Sequence, residues 1–208
     1  QKIEYKYLTD SDYLFAASGY GAVLKDATST GAKISLKVGG SYKEFNKGIW
    51  AHATSNVYYD LRSYKEEGFA YLLVYVGLNK TANTTGNVKF SVYTSAAEEF
   101  SAANSGDWVV LPEMDGVVMT SSMEAKFLRI DIRNINYIRF YADSNGSNSN
   151  DHAVYGDLKL VKADYDANEY LVPAVSELEE KIVGEFAGED LGNNSDYELN
   201  VLRRTLVE

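Results

Sequence analysis

Among its 208 residues the chain has no cysteine, which removes disulfides, thiolate metal sites and thiol nucleophiles together. Histidine occurs only twice, too few for a three-histidine metal site. Basic residues are also short, 20 against 30 acidic ones for a net charge of −10. Phosphate backbones are bound by a basic stripe and anionic membrane surfaces attract positive charge, so neither nucleic acid nor an anionic membrane is an expected partner. No apolar run reaches the length of a membrane helix, and no signal-peptide pattern opens the chain. We therefore expect no membrane insertion, and a soluble segment excised from a longer protein.

Catalytic signatures are missing as well. There is no G-x-S-x-G elbow, no H-E-x-x-H and no P-loop, and Gly19-Tyr20-Gly21 lacks the third glycine of a dinucleotide fingerprint. Glu66-Glu67 and Glu98-Glu99 are neighbours whose side chains point apart, and they lie in polar connections, so they read as solvated surface. An enzyme is not expected. Glycosidase carboxylates can converge from distant positions, which leaves a hydrolase fragment as the remote alternative.

What the chain does have is β-branched and aromatic residues in short runs, separated by Gly/Asn/Ser/Asp clusters, from Tyr5 to Val161. This predicts an all-β sandwich or barrel. Ile34, Leu36 and Val38 alternate with polar neighbours, as do Val88, Phe90 and Val92, Leu128, Ile130 and Ile132, and Ile138, Phe140 and Ala142. Each set predicts a strand with one buried face. Phe69 to Leu78 is apolar at nearly every position and predicts a central strand buried on both faces, while Leu158 and Leu160 are expected to close the sheet.

The character changes near Asp164. Residues 1–164 carry 17 of the basic and 19 of the acidic residues, about −2, whereas 165–208 carry about −8. Capping-box spacing at Ser176-Glu177-Leu178-Glu179 and Ser195-Asp196-Tyr197-Glu198 precedes apolar residues at helical spacing. We expect a β module over 1–164, and over 165–208 an acidic, short α-helical extension that begins a further domain.

Three segments resemble one known family. They are Tyr7-Leu8-Thr9-Asp10-Ser11-Asp12-Tyr13 with Ala16-Ala17-Ser18-Gly19-Tyr20-Gly21; Phe45 through Gly48-Ile49-Trp50-Ala51-His52-Ala53 to Leu61; and Ser149-Asn150-Asp151-His152-Ala153-Val154-Tyr155-Gly156-Asp157-Leu158-Lys159-Leu160. In order and in register, they are similar to the family 51 carbohydrate-binding module, or NPCBM domain. The resemblance implies a galactose-binding-domain-like β-sandwich jelly roll, secreted or cell-wall-attached in bacteria. It also implies a structural calcium ion, and attachment to a glycosidase or a peptidase acting on glycoproteins. The implied ligands are galactose- or N-acetylgalactosamine-containing host glycans. Tyrosine stands at Tyr13, Tyr20 and Tyr155 where the family pattern has tryptophan, and Trp50 stands where it has glycine.

A sugar site needs an aromatic face for the pyranose C–H surface and fixed polar groups for the hydroxyls. The candidates are His52, Trp50, Tyr20, Asp151, His152 and Tyr155. Each has a structural alternative: hydrogen bonding within the fold for the histidines, core packing for the aromatics. Trp50 can equally serve as a platform or block the pocket, in which case the module would be a spacer or protein-interaction domain. Asp157 and Asp26 are calcium ligands by the resemblance alone. The polar loop from Asp143 to Asp151 fails the EF-hand pattern, because Gly146 falls at its fourth position, and it reads as a turn.

Overall fold

The computed structural model describes residues 4–82 and 85–165. Fourteen strands are found among them: β1 Tyr5–Tyr7, β2 Phe15–Ala17, β3 Leu24–Lys25, β4 Ile34–Val38, β5 Ser41–Phe45, β6 Gly48–His52, β7 Ser55–Asp60, β8 Phe69–Leu78, β9 Asn87–Ser95, β10 Val109–Val110, β11 Val117–Thr120, β12 Lys126–Asp131, β13 Tyr137–Asp143 and β14 His152–Lys162. A single turn of helix, α1, spans Arg62–Glu66. None of the described helices is long and apolar enough to cross a membrane.

The strands form two antiparallel sheets packed face to face, the sandwich that the alternation predicts. The first sheet has the order β12-β8-β14-β6-β3, with β1 also on β14; the second has the order β10-β9-β13-β7-β2, with β11 also on β9. Their inner faces supply the main core, including Val57, Tyr59, Leu72, Val74, Val76, Phe90, Val92, Ile138 and Phe140.

The hairpin β4–β5 forms a third, two-stranded sheet. It lies on the outer face of the first sheet, where Ile34, Leu36 and Phe45 meet Trp50 and Val154 in a second buried cluster flanked by Leu24, Tyr75 and Ala125. That cover explains the unbroken apolar run of β8: Leu72, Val74 and Val76 face the main core, while Gly77 lies under Leu36. Small residues make the seam possible. A Cβ at Gly156 would stand 3.2 Å from Leu36, and one at Gly48 would stand 2.5 Å from the Tyr155 carbonyl and 2.6 Å from Ile34.

Leu158 and Leu160 do not close the sheet. They belong to β14, its middle strand, which breaks register between Gly156 and Lys159. Its first half pairs with β6 and its second half with β1, both alongside β8. Beyond β14 the chain divides into two units after Ala163. The two helices expected in 165–208 fall outside the described residues.

Candidate functional site

His52 ends β6 and His152 begins β14, and the antiparallel register sets them directly opposite each other. On a strand, residues two apart share a face, so Trp50 and His52 lie on the same side as His152 and Val154, the side that carries the β4–β5 hairpin. The two imidazole centroids are 5.6 Å apart, with Trp50 5.4 Å from His152 and Tyr20 5.9 Å from His52.

Tyr20 reaches this place because of Gly19. A Cβ there would lie 2.4 Å from the Ala53 carbonyl oxygen, so only glycine allows the loop to cross the end of β6. The Gly19 amide donates to the His52 carbonyl at 2.8 Å. The Ser18 hydroxyl accepts from the His52 amide at 3.1 Å and donates to the Tyr20 carbonyl at 2.9 Å. Tyr20 is held by its backbone while its ring remains 74% exposed. The first and second sequence motifs thus meet at one point in space.

Hydrogen bonds engage Nδ1 of both histidines. The Ser35 amide donates to Asn79 Oδ1 at 2.8 Å, which orients the amide so that Nδ2 donates to Thr81 Oγ1 at 2.7 Å. The Thr81 hydroxyl completes the chain when it donates to His152 Nδ1, 2.9 Å away, and the neutral ring then carries its proton on Nε2. His52 Nδ1 lies 2.8 Å from the Ala53 carbonyl and must donate to it, which leaves Nε2 of that ring an acceptor. The pair therefore offers one donor and one acceptor side by side. Burial, followed by the neighbouring His52, holds the His152 pKa below its usual range, which favours this neutral arrangement.

Other expected site residues lie elsewhere. Trp50 is only 3% exposed and packs under the hairpin, with its indole N–H unpartnered among the described residues. It is a core residue of the second cluster rather than a platform, and it does not close the site, because Tyr20 stays open above His52. Tyr155 faces the opposite way. It lies an odd number of positions from His152, so the strand turns it into the main core against Phe140 at 4.8 Å and Phe90 at 6.0 Å, where burial raises its phenol pKa. It cannot touch a surface ligand.

Asp151 is 0% exposed. Its Oδ1 accepts from the Asn87 amide at 2.9 Å and its carbonyl accepts from Ala53 at 2.9 Å, so it ties β9 and the end of β6 to the start of β14. Desolvation raises its pKa against the lowering influence of that Asn87 bond and of His52. It positions the histidines rather than meeting a ligand. Asn79 and Thr81, which complete the hydrogen-bond chain to His152, carry no sequence signal beyond being polar residues directly after a buried strand.

Asp26 and Asp157, the calcium candidates, flank Lys47-Gly48. Asp26 Oδ1 accepts from the Gly48 amide at 3.0 Å and its Oδ2 faces the Lys47 ammonium at 3.1 Å; Asp157 faces Lys159 at 3.3 Å. Both carboxylates are thus engaged by ammonium groups. Among the described residues no group of three or more metal-ligating side chains converges.

The profile of the NPCBM/NEW2 domain family matches residues 4–161. This chain belongs to that family. A comparison with curated proteins finds no match. Among solved structures, the NPCBM chain is similar to the CBM51 module of Clostridium perfringens GH95 in complex with methyl-galactose, at 27% identity and a TM-score of 0.64 over 76% of this chain and 100% of that one. It is also similar to the second CBM51 of C. perfringens ZmpB, in complex with GlcNAc and joined to INT domains, at 29% identity and a TM-score of 0.62 over 85% of this chain and 35% of that one. A third similar structure carries two CBM51 domains on an M60 catalytic domain of C. perfringens ZmpB; at 27% identity and a TM-score of 0.60, it is matched over 76% of this chain and 15% of that one. In these structures the matching part is the binding module and not the catalytic domain. The NPCBM chain is accordingly a non-catalytic carbohydrate-binding module with the galactose-binding-like fold.

Proposed function

We propose that the NPCBM chain binds a galactose-type pyranose at the end of the first sheet, with Tyr20 as the aromatic face and the His52–His152 pair as the hydroxyl contacts. One observation carries this reading: two imidazoles, each with Nδ1 engaged by a backbone or side-chain partner, lie beside an exposed tyrosine ring. Two neighbouring sugar hydroxyls can donate to His52 Nε2 and accept from His152 Nε2–H, while the ring's C–H face rests on Tyr20. The similar structures holding methyl-galactose and GlcNAc support a single-sugar ligand. N-acetylgalactosamine and host glycans ending in these sugars belong to the same reading.

The module would act within a secreted or wall-attached bacterial protein, raising the effective concentration of an attached catalytic domain near its glycan. Affinity for one sugar is expected to be weak, because a shallow site buries little area. Calorimetric titration with methyl-galactose, N-acetylgalactosamine and GlcNAc tests the proposal. Heat is expected with at least one of them, and Tyr20→Ala and His52→Ala should each weaken binding about tenfold. Absence of heat with all three sugars overturns the sugar site and leaves the spacer reading.

A further inference from the structure

The outer face of the second sheet carries a residue that this function does not use. Arg139 stands in a row across five strands, Phe15, Tyr58, Arg139, Tyr93 and Val110, in direct register. At the usual strand spacing the row runs roughly 19 Å. Its guanidinium lies 4.9 Å from the Tyr93 ring, 4.9 Å from the Tyr141 ring and 5.6 Å from the Tyr58 ring. Nε donates to Asn56 Oδ1 at 2.8 Å, so the fork is fixed in orientation. Nη1 and Nη2 meet no acceptor among the described residues, and no carboxylate pairs with them.

The contrast with its neighbours is informative. Arg62 and Arg133 are each gripped by the aspartate two positions earlier, Asp60 and Asp131. Asp143, at the end of the same strand as Arg139, is already engaged by the Asn145 amide at 2.7 Å and the Tyr141 hydroxyl at 3.1 Å. In a chain of net charge −10, Arg139 is thus a half-buried cation held by rings and an amide, without an anion. A guanidinium fork matches a carboxylate in bidentate geometry. Tyr58 is buried beneath Phe100 and Trp108, but Tyr93 and Tyr141 remain half-exposed beside the fork, as the C–H face of a sugar requires.

We propose a second, independent glycan site on this face, in which Arg139 binds the carboxylate of an acidic pyranose between Tyr93 and Tyr141, and Asn56 acts as a positioning residue. The ligand class is a sugar carboxylate, whether of a uronic acid or of a sialic acid. Rings flanking the cation favour a sugar over an acidic peptide, for which a bare cationic patch would serve.

The test titrates the 208-residue chain with glucuronic acid, N-acetylneuraminic acid, galactose, acetate and an aspartate-rich peptide, followed by NMR. One or both acidic sugars should shift the Arg139 Nε–H resonance, and raising salt to about 0.5 M should weaken that binding severalfold. Galactose, acetate and the peptide should leave the resonance in place. R139Q should lose about tenfold in acidic-sugar affinity and R139K somewhat less, because the ammonium lacks the fork. His52→Ala should weaken galactose binding about tenfold and leave the acidic sugar bound, so the two sites stand or fall separately. The proposal is overturned if neither acidic sugar moves the wild-type resonance, if R139Q folds and binds them undiminished, or if the peptide binds better than the sugars.

Discussion

The two outer faces of this sandwich have been treated in opposite ways. On the first sheet the β4–β5 hairpin lies over Trp50 and Val154 and makes a second apolar core, and the imidazoles of His52 and His152 stand where that cover ends. On the second sheet the aromatic row surrounds a cation and part of it stays open. A covered face can fix side chains to high precision, as the hairpin's own Ser35 amide does for Asn79, but it leaves room for a ligand only at its rim. An open face offers a longer surface and holds its groups by ring contacts and a single side-chain amide.

The largest effect is expected at Trp50. Trp50→Gly empties the second cluster and should cost about 3–5 kcal/mol, read as a fall in thermal midpoint, while the Arg139 face keeps whatever it binds. Gly19→Ala is next. With its Cβ forced against the Ala53 carbonyl the loop must move, and galactose affinity should drop about tenfold with the circular dichroism spectrum intact.

In the range where histidine titrates, acid should act on the covered rim. The folded-state pKa of His152 lies below the unfolded value of 6.5, so the stability that the neutral ring contributes is complete above about pH 6.5 and is lost as pH falls through the folded value. Thermal midpoint and galactose affinity should both decline between about pH 7 and pH 5. Asp151, shifted upward, works in the opposite sense: its contribution is full in the acid range and is lost as pH rises through its folded value. A flat profile would show that the histidine pair is not the polar half of the site. Thr81→Val removes the donor to His152 Nδ1 and should cost about 1 kcal/mol in binding. The smallest effect is expected from Tyr155→Phe, which deletes a buried hydroxyl unpartnered among the described residues. Sugar affinity should be unchanged and stability should move by no more than about 1 kcal/mol.

Much of the fold was legible because alternation is a local property. The sets beginning at Ile34, Val88, Leu128 and Ile138 each became a strand with one face in a core. Parity also separates two of the candidates: His152 and Tyr155 stand three apart on one strand and cannot share a face, so spacing alone excludes their joint membership of one site. Trp50 was different. Its burial depends on a hairpin from residues 34–45 folding over it, a non-local contact that no window around position 50 contains. The Asn79–Thr81–His152 hydrogen-bond chain was hidden for the same reason, since its members meet only after β14 enters the sheet between β6 and β8. Arg139 reads in sequence as one more polar residue on an alternating strand, and the missing counter-ion is visible only in three dimensions.

The register break at Asp157-Leu158 has a consequence in time. Because β14 serves β6 with one half and β1 with the other while lining β8 throughout, the last strand of the module goes into the centre of a sheet whose other members were all synthesised earlier. Until residue 162 is available, β6 and β8 face each other across a gap one strand wide, with unpaired edges on both sides. Long-range pairing of this kind is slow. The emerging chain must therefore keep those edges from pairing with each other or with a second chain before β14 arrives, and the two histidines come together only at that final step.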